Sequence, residues 1–232
     1  MGSFVSTSYY SLDAYSLLAL PLFMAAGILL ERSGIARQLV DLAELLLRRF
    51  KGGMGATIPV VSAFFGALSG SGLACVTAVS NMLGPRLEKK GWDRNYLAAL
   101  ACAAAPLGYM IPPNMNAIVF TKVSDASVGA LFLATLLPGI LWTILYVIIN
   151  RLIYKKYYDP SRAVPDEDGT DVSEDIKNTW AYKWRVIRSA IPAFFMPVII
   201  LGGIYGGIFT ATEAGGIACV YALVVGVFIY KG

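Results

Sequence analysis

The sequence predicts an all-α, polytopic membrane protein with a re-entrant helical hairpin and a broken transmembrane helix. Three observations carry that prediction. Of the 232 residues, 57% are hydrophobic and only 15% are charged, against about 25% charged in an ordinary soluble domain; mean hydropathy is +0.64. Residues free of Asp, Glu, Lys and Arg form long runs at 14–30, 52–85, 95–121, 126–150, 189–212 and 214–230, and about 17–25 apolar residues suffice to cross a bilayer. The basic residues are also segregated. If 95–121 crosses outward and 126–150 returns, Lys122 alone of the 19 basic residues lies on the outer side. The excess of Lys and Arg marks the opposite side as cytoplasmic.

Each element follows in order. Met1-Gly-Ser-Phe has no basic n-region, so no cleavable signal is expected. Residues 1–51 hold a first crossing at 14–30, followed by "IARQLVDLAELLLRRF" at 35–50. There Ile35, Leu39, Leu42, Leu46 and Phe50 share one helical face, as in an amphipathic helix lying at the membrane interface. Residues 52–121 carry the two irregular segments. The run 52–85 is too long for one helix and has basic residues at both ends, so it must enter and leave on the same face. It reads as a hairpin over 55–84, with arms 55–68 and 73–84 and a tip at Ser69-Gly70-Ser71-Gly72. Non-helical backbone at membrane depth survives only where it is buried in protein or lines a cavity, and such a tip presents carbonyls and hydroxyls, which are hard oxygen ligands.

The run 95–121 contains "APLGYMIPPNMN". Pro112 and Pro113 remove two backbone donors and disfavour helix at Ile111 and Pro112. A discontinuous crossing is expected, with Asn114 and Asn116 at the break; unwound membrane helices commonly hold ion or substrate sites near the midplane. Residues 122–154 contain the return helix. Residues 155–188 form a charged cytoplasmic connector, whose "PDEDGTDVSED" lacks the spacing of an EF-hand and reads as a solvated linker. Residues 189–232 contain two further membrane segments. Between them Thr210, Thr212 and Glu213 form a polar break at the outer surface, with Glu213 interfacial rather than a proton carrier.

The absences narrow the function. With no His, histidine metal sites and His-based triads are excluded. No GxxxxGK[ST], HExxH or GxSxG is present, and no enzyme is expected. Cys75, Cys102 and Cys219 lie far apart in apolar segments without a CxxC, as small core residues do. Plainer readings of the irregular segments also exist. Gly66 and Gly70 form a GxxxG that packs helices closely, Pro112-Pro113 can be a structural kink, and Asn114 and Asn116 can be satisfied by neighbouring helices.

Across nearly the whole chain, ordered motifs carry a resemblance. They are "LLALPLFMAAGILLERSGIA", "FFGALSGSGLA", "MLGPRLEKKGWDRNYLAAL", "IPPNMNAIVF", "ASVGALFLATLLPGIL" and "PVIILGGIYGGIFTATEA". The chain resembles the large membrane subunit of tripartite ATP-independent periplasmic (TRAP) transporters. The resemblance implies a multi-pass protein of the bacterial inner membrane. It implies sodium-coupled import of organic acids (C4-dicarboxylate, sialic acid or related carboxylates) by an elevator mechanism. Substrate arrives from a periplasmic binding protein, and a small four-helix membrane subunit is the second partner. Carried onto this sequence, it implies sodium and substrate binding at Ser69, Gly70, Ser71 and Gly72 of the hairpin tip. The broken helix contributes Ile111, Pro112, Pro113, Asn114 and Met115. Na+ is the coupling ion; no other cofactor and no nucleic-acid partner are expected. Many relatives have Ser where this chain has Asn114, and family members run to roughly twice this length, so the chain reads as a fragment holding the first repeat and the start of the second. The rival readings are a channel-like pore with the hairpin as filter and a non-transporting membrane scaffold.

Overall fold

The computed structural model describes residues 15–50, 52–121, 123–124, 126–164 and 180–230. The acidic stretch "PDEDGTDVSED" lies outside the described residues, as do Lys51, Lys122, Lys177 and Lys231. Among the described residues every regular element is helical; extended pairing is limited to the single bridge between Trp92 and Tyr158. Among the described residues three helices are long and apolar enough to cross a membrane: α8 (Val128–Tyr157), α9 (Trp180–Tyr205), and α10 (Ala211–Val224) with the π-helical turn Val225–Tyr230 that extends it. The protein is all-α and polytopic.

The remaining elements are α1 (Ala19–Arg32), α2 (Ile35–Leu47), α3 (Gly53–Ser69), α4 (Gly72–Lys89), α5 (Arg94–Ala104), α6 (Leu107–Met110) and α7 (Met115–Phe120). They pack around two large cores, with a small third cluster of Leu42, Val186 and Ala190 between α2 and α9. One joins α1, α9 and α10 through Phe23, Leu30, Met196, Ile200 and Ala218, and reaches Leu68, Ile118 and Phe132. The other joins α2 to α6 through Val40, Ile58, Phe65, Val79, Leu83, Leu87 and Leu107. α3 is the hub, touching α1, α2, α4, α5, α6, α8 and α9. Its buried residues run from Gly53 to Ser69 on all sides, as expected of a helix apolar all round.

Four boundaries differ from the sequence reading. The hairpin arms run 53–69 and 72–89 rather than 55–68 and 73–84, so each is about 25 Å long. α8 and α9 extend beyond their uncharged runs to Tyr157 and back to Trp180. Lys and Arg favour helix and carry long apolar stems, so a charge ends an apolar run without ending the helix. The fourth is α2, which ends at Leu47 rather than at residue 50. It packs on α3 and α9, burying Ile35, Leu39, Val40, Leu42 and Ala43 against protein. Leu46 and Phe50, placed on that face by periodicity, are exposed. Two ion pairs, Asp41–Arg86 (3.3 Å) and Glu44–Lys90 (3.9 Å), tie α2 to α4.

α8 is sparsely buried and presents Leu137, Leu141, Ile148 and Leu152 outward. Its contacts are concentrated at Phe132, Gly139 and Asn150. The fully buried Asn150 binds both ways: its amide donates to Gly52 O (2.7 Å) and its carbonyl accepts from the Tyr96 hydroxyl (2.8 Å). This clamp holds the base of the hairpin to α5 and α8.

Candidate functional site

The hairpin reverses in two residues. Gly70 adopts φ 61°, a left-handed conformation that glycine takes without penalty. Its N–H still closes the last turn of α3 onto Gly66 O (2.8 Å). Ser71 is extended (φ −129°), and its hydroxyl accepts from Ala74 N (3.5 Å), capping α4. The Ser69 hydroxyl lies 3.4 Å from Ser71 N and Ser71 O. Ser69, Gly70 and Gly72 are buried and Ser71 is half-buried. The carbonyls of the last α3 turn point toward the tip with no following helical N–H to receive.

The broken crossing is built as its prolines require. α6 is one turn, Leu107–Met110, beginning just after Pro106. Ile111 is extended (φ −89°, ψ 121°) ahead of Pro112, which is joined to Pro113 by a cis bond. Asn114 then starts α7: its side-chain carbonyl accepts from Ala117 N (3.1 Å) and its amide donates to Tyr109 O. Asn114 thus bridges the two ends of the break. Ile111, Pro112, Pro113 and Asn114 are buried and Met115 is half-buried, whereas Asn116 faces outward.

The fold brings both segments to one point, with backbone against backbone. A Cβ placed on Gly70 would lie 2.5 Å from Pro113 O, and one on Gly72 2.7 Å from Ala105 O. One on Gly66 would lie 2.8 Å from Gly108 Cα, and one on Gly108 2.9 Å from Ser71 O. Gly66 therefore serves the close-packing role that its GxxxG allows, against α6. Gly27 of α1 backs Ser69, and Gly139 of α8 backs Ile111 at 2.9 Å. Gly139 sits near the middle of the uncharged run 126–150, so the junction is level with the middle of that run. The sequence reading missed Gly27, Gly139 and Asn150. A glycine inside an apolar helix signals close approach, but not which backbone approaches it.

Chemically, the junction offers neutral oxygen atoms. Among the described residues no cluster of three or more His, Cys, Asp or Glu exists. The C-terminal end of α3 carries partial negative charge, which suits a cation, and the N-terminal end of α4 beside it suits an anion. Thr210 and Glu213 form no part of this junction. They make a capping box at the start of α10, with Glu213 accepting from Thr210 N at 2.7 Å.

Comparison with known proteins places this geometry in context. The family model described as "Tripartite ATP-independent periplasmic transporter, DctM component" matches residues 3–232. The isethionate TRAP transporter permease protein DctMQ of Oleidesulfovibrio alaskensis is 33% identical over 97% of this chain and 33% of its own length. The ectoine TRAP transporter large permease protein TeaC of Halomonas elongata is 32% identical over 93% of this chain and 48% of its own. The C4-dicarboxylate large permease DctM of Pseudomonas aeruginosa is 31% identical, over 94% and 48%. The chain spans about half or less of the length of the relatives it matches.

Proposed function

Because this chain belongs to the DctM family of tripartite ATP-independent periplasmic transporters, we propose that it forms the first-repeat half of a sodium-coupled importer of organic anions. In this reading Na+ binds the carbonyls and hydroxyls at Ser69–Gly72 and the break at Ile111–Met115. A substrate carboxylate then binds beside it, near the N-terminal end of α4. Bound sodium neutralises the field at the junction, so the anion binds well only when sodium is present; that difference in affinity is the coupling. The hairpin and broken helix move as a body in the elevator sense, between partners that are a small membrane subunit and a periplasmic substrate-binding protein. Substrates named for relatives, including C4-dicarboxylate, ectoine, isethionate and sialic acid, share a charged oxyanion head. The class taken here is a small carboxylate or related organic acid in the bacterial inner membrane.

The observation that supports this reading is the junction itself: a Gly/Ser tip and a Pro-Pro break, distant in sequence, meet backbone to backbone. The test is sodium-dependent uptake in a complete transporter carrying this segment. Ser69→Ala with Ser71→Ala is expected to raise the sodium concentration for half-maximal uptake about tenfold or more, since a hydrogen bond or ligand to a charge is worth roughly 1.5–3 kcal/mol. An unchanged sodium curve with normal uptake would show that the tip is not the sodium site.

A further inference from the structure

A second cavity lies at the other end of the same half of the molecule, on the cytoplasmic side. It has a volume of about 530 Å³ and is lined by Asp93, Lys155, Lys156, Tyr157, Tyr158, Asp159, Pro160 and Arg162. Its frame is fixed by backbone. Asp93 N donates to Tyr157 O and Asp159 N to Gly91 O (both 2.9 Å), and Val164 N donates to Lys89 O (2.9 Å). The aromatic rings of Trp92, Tyr96, Tyr157 and Tyr158 stack behind it at centroid distances of 4.4–5.9 Å. Asn150 and Tyr96 anchor the same corner from below.

Both acids in the cavity already have partners. Asp93 caps α5 by accepting from Tyr96 N at 2.9 Å. Asp159 accepts from Ser161 N and its hydroxyl and pairs with Arg162 at 3.5 Å. Lys155, Lys156 and Arg162 are exposed at the rim, and Lys156 also lies 5.5 Å over the Tyr157 ring. The cavity sits at the membrane surface, where α8 leaves the bilayer. One and two turns deeper, Leu152 (74% exposed) and Ile149 open outward, and Leu145 and Leu141 continue the same face toward the bilayer centre. A cationic, tyrosine-edged cavity thus stands directly above an apolar track of acyl-chain dimensions.

We propose that this cavity binds the phosphate-bearing headgroup of an anionic phospholipid from the cytoplasmic leaflet. Lys155, Lys156 and Arg162 face the phosphate, and the Leu152–Ile149–Leu145–Leu141 face of α8 carries an acyl chain. Basic groups beside a membrane helix on the cytoplasmic side select anionic lipids in this way. A free phosphate compound would meet the same cations but would gain nothing from α8; the continuity of the cavity with that apolar face favours the lipid. The site lies at the hinge between the hairpin base and α8, so a bound lipid would bear on the corner that the Asn150 clamp secures.

The test uses a complete transporter carrying this segment, in nanodiscs of phosphatidylcholine doped with phosphatidylglycerol, with bound lipid counted by native mass spectrometry. Wild type is expected to retain phosphatidylglycerol over phosphatidylcholine. The Lys155→Gln/Lys156→Gln/Arg162→Gln variant should lose about fivefold in retention per cation removed, the effect of one basic residue near an anionic surface. The Lys183→Gln/Arg185→Gln/Arg188→Gln variant removes equal charge from the same membrane side but outside the cavity, and should retain the lipid. Equal retention of the two lipids by wild type, or equal losses in both triple variants, would overturn the proposal. So would glycerol 3-phosphate displacing the lipid as effectively as phosphatidylglycerol itself, because the acyl track would then contribute nothing.

Discussion

Gly108 shows how much a single hydrogen atom decides at the residue scale. In sequence it is a glycine between Pro106 and the double proline that loosens the turns ahead of the break; in the fold it lets α6 touch both arms of the hairpin near the tip. Gly108→Ala drives a Cβ to 2.8 Å from Gly72 Cα and is expected to cost about 1–3 kcal/mol, the usual cost of overpacking. Gly84→Ala is the contrast, since nothing lies within 4 Å of its Cβ position; it should gain up to about 1 kcal/mol of helix propensity. Thermal denaturation in detergent reads both, and equal melting temperatures for the two variants would contradict the close approach. Asp159 makes a prediction of a different kind. Its hydrogen bonds from the Ser161 hydroxyl and N–H hold its carboxyl below the ordinary 3.8, with the Arg162 guanidinium adding to the effect. A carboxyl depressed in the fold contributes order that is present above the ordinary value and is lost as pH falls through the lowered one. The protection of the Ser161 N–H against hydrogen exchange, relative to its intrinsic rate at each pH, should therefore hold at neutral pH and fall only below the ordinary 3.8, and Asp159→Asn should abolish that dependence.

Among the elements, the hairpin and the broken helix were legible from charge and from proline. The run 52–85 is too long for one crossing and has basic residues at both ends, which forces a return to the same face. Pro112 and Pro113 lack backbone donors, which forces an interruption. The two arms were underestimated because apolarity was used to mark their ends, and α2 was drawn too long because periodicity reports an apolar face without naming what covers it. Asn150 went unread altogether: one amide at the end of an apolar run has no pattern to announce it. Its two hydrogen bonds reach Gly52 and Tyr96, residues brought together only by the pairing of α3, α5 and α8. Asn150→Ala leaves the Tyr96 hydroxyl and Gly52 carbonyl without this partner and should destabilise the chain by about 1–3 kcal/mol, with Tyr96→Phe costing less because it removes one bond of the two. A loss within about 0.5 kcal/mol, the scale of an inconsequential surface change, would mean that the clamp carries no load.

For the whole molecule, topology is the property that charge alone predicts and that the helices must obey. With 95–121 outward and α8 returning, Ala126 and Glu213 lie outside and Arg162 and Arg185 inside. In a background lacking Cys75, Cys102 and Cys219, cysteines placed at Ala126 or Glu213 should react with a membrane-impermeant maleimide in intact cells. Cysteines at Arg162 or Arg185 should react only after permeabilisation; the reverse pattern would invert the assignment. The amino-acid order by itself determined the helical class, the membrane location, the hairpin, the break and the family, because hydropathy, charge and missing backbone donors are properties of each residue and its near neighbours. Only the tertiary structure decided that Gly70 abuts Pro113, that Gly108 wedges against the hairpin near its tip, that Asn150 locks the hairpin base and that a basic cavity stands over the lipid face of α8. Those are meetings between residues far apart in the chain, and they depend on which helix faces pack together, which no local pattern encodes.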